Sequence, residues 1–311
     1  MKFRAVLTDY GVNLLERRFL PALEKIGKTC HILLTQHHVI LLHNVLNTSG
    51  VQAIAQFTKE AIFEDYRLSS QYDDRIAFTV DLGLLSRALK SSVSMDGDLL
   101  QIKLVKKRAK ITDRPTPYLT IESKGFRSAV VQDVPISQPM PRVEVEELQA
   151  ALDMAQDLPR TLVQVPNLMQ LHALVERLKN VGEVLEVGVT QYGDLHLQVS
   201  TTLVSIGSEF RNLRVLGVRV DGNSIDATLN SSERLRDALD KSLASVVKVD
   251  VKQFVKSLQC HHTKPDASFC GIAPNDGCLL IMLQYFIPGT RQTDNSISLH
   301  YRLPVLLDGA N

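Results

Sequence analysis

Aromatic residues are scarce in this chain of 311 residues, which has no tryptophan and only 5% aromatic side chains. Proteins that bind single-stranded nucleic acid by stacking bases need such rings, so the sequence argues against that class. An excess of one charge is also missing, because 35 Lys and Arg residues offset 34 Asp and Glu residues to a net charge of +1. A protein that grips nucleic acid over its whole surface is usually far more basic. Any contact with nucleic acid must therefore come from a local basic surface.

Cysteines and long apolar runs are few as well. The four cysteines, Cys30, Cys260, Cys270 and Cys278, include no CxxC pair. They are too few for a disulfide framework and fit reduced thiols in the cytosol or nucleus. Residues 1–9 lack the apolar segment of a signal peptide, and no run approaches the roughly 20 apolar residues of a membrane span. We expect an intracellular protein without a membrane partner.

A strand followed by an amphipathic helix occurs in both halves of the chain. Residues 78–90 read FTVDLGLLSRALK, and residues 247–258 read VKVDVKQFVKSL. The apolar residues after Asp250 fall on one helical face. Lys252 and Lys256 are four residues apart and share the opposite face. The repeat therefore predicts two similar helices, each with a basic outer face.

Two further helices and many short strands surround this repeat. A helical pattern covers residues 13–28, although a proline in a helix interior costs about 3 kcal/mol. Either the regular helix starts near Leu20, with Pro21 in its first turn, or the helix is kinked. A third helix is predicted over residues 167–181. Strand patterns cover residues 2–8, 30–35, 39–45, 51–57, 78–81, 99–107, 118–123, 129–134, 162–165, 184–191, 195–201, 204–210, 247–250, 269–272, 279–286 and 298–306. Helices followed by hairpins predict an α+β fold, in which two similar domains have antiparallel sheets and two helices on one face.

A proline-containing segment divides the chain. Residues 133–142 read DVPISQPMPR, and three prolines exclude a helix or a central strand there. We predict an N-terminal domain over residues 1–132, an interdomain connector over 133–147 and a C-terminal domain over 148–311. Residues 214–245 are polar and irregular, which predicts a surface insertion with a helix near 232–243.

Short segments along nearly the whole chain resemble one family of DNA sliding clamps. They comprise residues 1–5, 25–30, 85–90, 133–136, 176–180, 284–288 and 298–304. Together they are similar to the hydroxyurea-sensitivity subunit of the heterotrimeric nine-one-one checkpoint clamp, a relative of the proliferating cell nuclear antigen. The resemblance implies a sliding-clamp fold and a non-enzymatic, nuclear ring subunit. Such a ring is loaded around DNA at damage sites and recruits checkpoint signalling and repair proteins.

The same resemblance implies partners and a DNA-facing surface. The partners would be two other clamp-like subunits, a clamp loader, repair enzymes and double-stranded DNA through the ring, and no cofactor is expected. In the family four helices line the central hole. Carried over position by position, the DNA-facing candidates are Arg17, Lys25, Lys28, Arg87, Lys90, Arg177, Lys179, Lys252 and Lys256. Each alone could equally be an ordinary solvated position; their presence in all four strand-helix units favours the functional interpretation.

The resemblance also implies two kinds of protein contact. Clamps bind short peptides in an apolar pocket beneath the connector, and the nearest equivalents here are Val51, Ile136, Met140 and Pro304. Val51 and Ile136 could equally be ordinary packing residues. Edge strands of neighbouring subunits pair to close the ring, and unpaired edges would otherwise invite aggregation. We expect these edges at residues 118–123 and after the third or fourth helix.

Two other functions stay open. A homotrimeric replicative clamp would also encircle DNA, but it would close on itself. A metal-dependent enzyme would need a site, and the candidate zinc ligands are Cys260, His261, His262, Cys270 and Cys278. Their spacing is looser than that of known structural zinc sites. Carboxylates at 73–74 and 144–147 lie in loop-like sequence without a paired base, and no glycine-rich phosphate loop is present. We therefore expect no catalysis and no bound metal.

Overall fold

The chain folds into antiparallel sheets with helices on both of their faces. The computed structural model describes residues 1–46, 50–93, 99–108, 115–124, 129–155, 157–220 and 229–307. The elements of the first half are β1 (Lys2–Leu7), α1 (Asp9–Asn13), α2 (Leu20–Ile26), β2 (Thr29–Leu34), β3 (His38–His43), β4 (Gln52–Thr58), α3 (Lys59–Ile62), β5 (Phe63–Ser69), β6 (Ile76–Asp81), α4 (Leu82–Val93), β7 (Leu99–Arg108), β8 (Pro115–Lys124) and β9 (Ala129–Pro135). Those of the second half are α5 (Arg142–Met154), β10 (Thr161–Gln164), α6 (Leu168–Leu178), β11 (Val184–Thr190), β12 (Leu195–Ser200), β13 (Ser205–Phe210), β14 (Val215–Gly217), α7 (Ser231–Asp240), β15 (Ala244–Asp250), α8 (Val251–Leu258), β16 (Ala267–Ile272), β17 (Cys278–Gln284) and β18 (Ile297–Pro304).

Three antiparallel sheets form the framework. The first has the strand order β5-β1-β7-β8-β9, the second β14-β10-β16-β17-β18-β4-β3-β2-β6, and the third β13-β12-β11-β15. Strand β18 pairs with β4, with Leu299 opposite Ala55, so the nine-stranded sheet runs through both halves. The predicted α+β class with antiparallel sheets is confirmed.

Four helices form one layer on a single side of the sheets. Helix α2 packs against α4 in the first half, α6 packs against α8 in the second, and α2 contacts α8 between them. We call the exposed side of α2, α4, α6 and α8 the helix surface. The prediction of two helices on one face of each half is confirmed by this packing.

The repeated motif begins both helices in the same way. The Asp81 Oδ1 atom accepts a hydrogen bond from the Leu84 amide at 2.8 Å, and Asp250 Oδ1 accepts one from the Gln253 amide at 2.9 Å. Each carboxylate satisfies a backbone donor at a helix start, which is worth about 1 kcal/mol. The aspartates therefore set where α4 and α8 begin and which face of each helix is buried.

The first helical segment follows one of the two alternatives for Pro21. A π-helical stretch, Leu14–Phe19, follows α1, and the regular helix α2 then begins at Leu20. Pro21 lies in the first turn of α2, directly after the π-helical stretch. Phe19 and Leu20 are buried, so the segment stays packed across the change in helix type.

Helix α5 corrects the prediction for the connector. Residues 142–147, assigned to the connector as loop, form the first half of this helix, which starts directly after Pro141. Its residues Val145, Leu148 and Leu152 are buried against the sheet face that carries Leu33. That face is opposite the helix layer, because side chains alternate along a strand. The acidic residues between the apolar ones are exposed, which explains why the sequence resembled a loop.

Helix α7 lies on the corresponding outer face of the third sheet. Its predicted position near 232–243 is confirmed, since the helix spans Ser231–Asp240. A Cβ added at Gly188 of β11 would lie 3.1 Å from Leu235, so α7 packs directly on the strand. Residues 221–228 of the predicted insertion lie outside the described residues. The strand β5 and the short helix α3 were not predicted.

Candidate nucleic-acid interface

The first-half part of the helix surface carries four exposed cations. Lys25 lies in α2 and Lys28 directly after it, and both are exposed, while Arg87 and Lys90 are exposed on α4. The opposite faces of these helices are buried in the main core. Burial of the apolar face therefore forces the basic residues outward. Glu24 is exposed on the same helix as Lys25 and dilutes the charge.

The second-half part is less strongly basic. Arg177 on α6 and Lys252 and Lys256 on α8 are exposed. Lys179 is only half-exposed and pairs with Glu176. Lys252 Nζ lies 3.1 Å from a carboxylate oxygen of Glu183. Exposed pairs of this kind contribute little to stability, but each partly neutralises a cation.

Arg17 lies apart from these residues in the π-helical stretch. Its side chain is 67% exposed, and its Nε lies 3.4 Å from a carboxylate oxygen of Glu16. Eight of the nine predicted cations thus lie in the four packed helices or within one or two residues of a helix end, with Arg17 preceding α2.

A short turn joins the two halves of the helix layer. The 3₁₀ turn Gln259–Thr263 follows α8 and packs against α2. The Arg18 Nε donates to the carbonyl oxygen of Thr263 at 2.7 Å, and its Nη2 donates to that of Lys264 at 3.1 Å. The Tyr285 hydroxyl donates to Thr263 Oγ1 at 2.7 Å. The two Arg18 bonds hold the turn, called the seam turn below, against the first half, and the Tyr285 bond holds it to the second half.

Three histidines cluster at the seam turn. Along the turn, Cys260 is fully buried, His261 is half-buried and His262 is exposed. The ring centroids of His261 and His262 lie 4.2 Å apart, and that of His172 on α6 lies 5.8 Å from His261. Burial and then the neighbouring His261 lower the pKa of His262, and Lys25 acts in the same direction. The sequence indicates the histidine pair only as candidate zinc ligands, but the pair directly follows the basic helix α8, which brings it to this surface.

The four residues predicted for a peptide pocket are not brought together. Val51, Ile136 and Met140 are at most 8% exposed. Val51 directly precedes β4 and Pro304 ends β18, whereas Ile136 and Met140 bond to β6, three strands beyond β4. Val51 and Ile136 also belong to the main core and Met140 to the cluster under α5. The structure therefore does not gather the four residues in one recess, and their role in peptide binding stays a prediction.

A polar cleft does open on the outer face beside α5. Its volume is about 430 Å³. Gln36, His38 and Arg75 line its rim, and Ile40 and Leu152 contribute an apolar floor. It lies over β3, β4 and β18, where the two halves share the nine-stranded sheet.

The sheet edges differ from those predicted. Residues 118–123 lie in β8, which is hydrogen-bonded to β7 on one side and β9 on the other. The outermost strand is therefore β9, and the prediction for 118–123 is wrong by one strand. In the second half β13 is the outermost strand of the third sheet, after the third helix. Val131 on β9 is 52% exposed and Ile206 on β13 is 42% exposed.

The cysteines do not offer a zinc site. All four are buried, and desolvation raises the pKa of the Cys30 and Cys270 thiols to about 12 and also raises that of Cys260. A thiol must lose its proton to bind metal. Within the described ranges, no set drawn from Cys260, His261, His262, Cys270 and Cys278 converges on one point.

A buried ionic cluster lies under α7 and was not predicted. Arg234 of α7 donates from Nε to Asp194 Oδ2 at 2.8 Å, and this Nε lies 3.7 Å from Glu209 Oε1. Arg211 pairs with the other oxygen of Glu209 at 2.6 Å. His196 Nε2 faces Glu209 Oε1 at 3.8 Å, and both atoms lack a hydrogen-bond partner. Asp194, His196 and Glu209 could together ligate a metal, but Arg234 and Arg211 already balance the two carboxylates.

No helix among the described residues is long and apolar enough to cross a membrane.

Comparisons with known proteins agree with this architecture. A family model described as Hus1-like protein matches residues 1–291. The checkpoint protein hus1 homolog of Dictyostelium discoideum is 25% identical over 299 residues, covering 93% of this chain and 98% of the relative. Checkpoint protein HUS1 of Homo sapiens is 26% identical over 297 residues, covering 93% and 99%.

A solved structure matches almost the whole chain. It is the proliferating cellular nuclear antigen from Entamoeba histolytica, with a TM-score of 0.59 and 9% identity, covering 98% of this chain and 99% of that one. At this identity the likeness concerns the fold alone. The predicted sliding-clamp fold is confirmed.

Proposed function

The chain belongs to the Hus1-like family, and we propose that it is a non-catalytic subunit of a ring-shaped checkpoint clamp around duplex DNA. The continuous helix layer carries this proposal. Four helices from two similar halves pack side by side, and each presents at least one basic residue on its exposed side or at its end. A homotrimeric replicative clamp would share this layer, but the full-length similarity to checkpoint proteins favours the checkpoint function.

The charges of the helix surface suit loose retention of DNA. Direct contacts to many phosphates would give a steep salt dependence and a tight grip. Exposed charges more than about 8 Å apart are screened at physiological salt, so a few cations on long side chains attract the duplex without fixing it. Reading of base sequence needs contacts to base edges, which a central hole does not require. Closure of the ring then retains the DNA.

The ring partners are two other clamp-like subunits that pair with this chain through β9 and β13. Both strands end their sheets, and exposed edges of this kind are templates for strand pairing. A clamp loader opens and closes the assembled ring. This function assigns the chain to the nucleus, where checkpoint and repair proteins dock on the outer face, for which the cleft beside α5 is the accessible recess.

Charge reversal on the helix surface tests the proposal. The test variant replaces Lys25, Arg87, Lys90, Lys252 and Lys256 with Glu. A matched control makes the same change at five exposed cations outside the helix layer, Lys2, Arg4, Arg142, Arg236 and Lys241. Both alter the net charge equally, so a general electrostatic effect would appear in both.

We expect the test variant to fold and to enter the ring, as judged by circular dichroism and sedimentation. It should lose the stimulation of partner repair enzymes by DNA, while the control retains it. Equal stimulation by the test variant and the natural chain would remove these residues from the DNA-facing surface. Loss in both variants would mean that net charge, and not the helix surface, governs the interaction.

A further inference from the structure

The seam turn carries a pair of histidines, His261 and His262, in addition to the lysines and arginines of the helix surface. His262 is exposed, and His261 stacks on it with ring centroids 4.2 Å apart. The buried Cys260 and Thr263 on either side fix which way the pair faces. The pair therefore lies on the same side of the sheets as the helix surface, next to the contact between α2 and α8.

The free nitrogens of this pair are suited to bind an anion. The His261 Nδ1 atom lies 2.9 Å from the carbonyl oxygen of Leu258. Since a carbonyl only accepts, Nδ1 carries the proton of the neutral ring, and Nε2 becomes a donor when the ring is protonated. A phosphate oxygen is the acceptor that a protonated imidazole favours. Helix α2, which carries Lys25, packs against the seam turn, and Lys25 lowers the pKa of His262 through its charge.

We infer that His261 and His262 form a protonation-dependent phosphate contact within the helix surface, filling the basic stripe between α2 and α8. This inference rests on the proposed function, because the phosphate is that of the encircled duplex. The contact strengthens as pH falls and vanishes once both rings are neutral. When protonated, the pair adds a cationic position at the junction of the two halves. None of the nine predicted lysines and arginines lies in the seam turn.

The charged and titratable neighbours of His262 all act in one direction. Lys25 on α2 and the neighbouring rings His261 and His172 disfavour a charge on His262. His172 is itself held by Gln259, whose Nε2 lies 2.9 Å from the His172 Nε2, and it faces Glu176 at 4.0 Å. In the free protein, burial and these neighbours therefore keep the pKa of His262 below its ordinary value. Phosphates brought in by DNA oppose this and raise the pKa of His262, because an opposite charge favours the charged ring.

Nuclear magnetic resonance of the isolated chain, labelled at histidine and lysine, tests the contact. The ring signals are titrated between about pH 5 and pH 8 with and without a duplex of about 20 base pairs, in about 0.01 M salt, where the Debye length is about 30 Å. We expect DNA to raise the measured pKa of His262 by about half a pH unit or more. The pKa of His38, which lines the outer cleft, should not change. An unchanged pKa of His262 would overturn the inference.

Two variants separate the inference from the proposed function. A rise of half a pH unit corresponds to about threefold tighter DNA binding below the pKa, so His262→Gln should bind about threefold more weakly at low pH and equally at high pH. His37→Gln, an exposed outer-face change, should bind as the natural chain does at every pH. If DNA shifts the signals of Lys25 and Lys90 but His262→Gln has no effect, the inference fails and the proposed function stands. If DNA shifts neither set, both fail.

Discussion

Arg234 is the residue on which the packing of α7 depends most. Its side chain is 9% exposed, and that of Asp194 is fully buried. Taking such a pair out of water costs several kcal/mol per ion, which is offset only when both ions keep their partners. The cluster therefore contributes little net stability, but it restricts the position of α7 on the sheet to one in which Arg234 reaches Asp194. Replacing only one partner with an apolar residue of similar shape would leave the other charge buried and unpaired.

Removing the guanidinium should destabilise the fold strongly. We expect Arg234→Met to lower the free energy of unfolding by roughly 3–5 kcal/mol, because it leaves the Asp194 carboxylate buried without a partner. Chemical denaturation measures this change. Arg236→Met, two residues away and exposed, should change it by less than about 0.5 kcal/mol. The double variant Arg234→Met with Asp194→Asn should lose less than the sum of the single changes; strict additivity would show that the pair is not coupled.

The neighbouring His196 makes stability depend on pH. Burial lowers its pKa, more than Glu209 and Asp194 raise it. The unfolded chain therefore binds the proton more readily, so this contribution is complete above the unfolded pKa of about 6.5 and is lost as pH falls through it. We expect the free energy of unfolding to fall between neutral and mildly acidic pH, and to fall less steeply in His196→Gln. Identical slopes in the two proteins would contradict this assignment.

At the scale of elements, the sequence predicted best where a side chain fixes a helix start. Asp81 and Asp250 precede apolar residues at helical spacing, and both cap their helices. The strand β5 escaped detection because its burial alternates irregularly and its residues, FEDYRLS, are mostly polar. Helix α5 escaped because three prolines lead up to it, although a proline directly before a helix disturbs none of its hydrogen bonds. Rules based on local sequence therefore detect the proline-containing break before α5, but they do not detect that a helix begins directly after Pro141.

The candidate site could be predicted only in part for a similar reason. Exposure of Lys25, Arg87 and Lys256 follows from the apolar face that each helix must bury. Whether a cation is free does not follow, since Glu183 reaches Lys252 from a different element, 69 positions away along the chain. The sequence also could not show that Met140 lies apart from Val51, because Met140 packs in the cluster under α5, a helix that the sequence did not reveal.

Helix α5 should stabilise the outer face through one central residue. Leu148 is fully buried in the cluster with Leu33, Ile40 and Leu42. We expect Leu148→Ala to lower the free energy of unfolding by roughly 2–5 kcal/mol through lost burial and the cavity it leaves. It should also speed amide hydrogen exchange in α5 more than in α4. Val143→Ala, at a position 64% exposed, serves as the control with little change. Exchange that rises equally in both helices would mean that α5 does not open on its own.

At the scale of the whole molecule, the sheet edges decide what the chain assembles with. Strands β9 and β13 lie in different sheets and each ends its sheet, so the two strands offer separate edges for pairing. A ring needs every subunit to pair once through each edge, and pairing that closes gives a finite assembly instead of a filament. A heterotrimer requires in addition that the two edges of this chain pair better with other subunits than with each other.

Sedimentation equilibrium over a wide concentration range decides between the two clamp types. We expect the isolated chain to be a monomer and to form a 1:1:1 ring with two other clamp-like subunits. A lysine within an edge strand opposes pairing, so Val131→Lys and Ile206→Lys should each fold as monomers and fail to enter the ring. Leu239→Lys, a change of equal character on the exposed side of α7, should enter it normally. A self-sufficient trimer of the natural chain, dissolved by either edge variant, would instead identify a replicative clamp, because its β9 and β13 would then be complementary to each other.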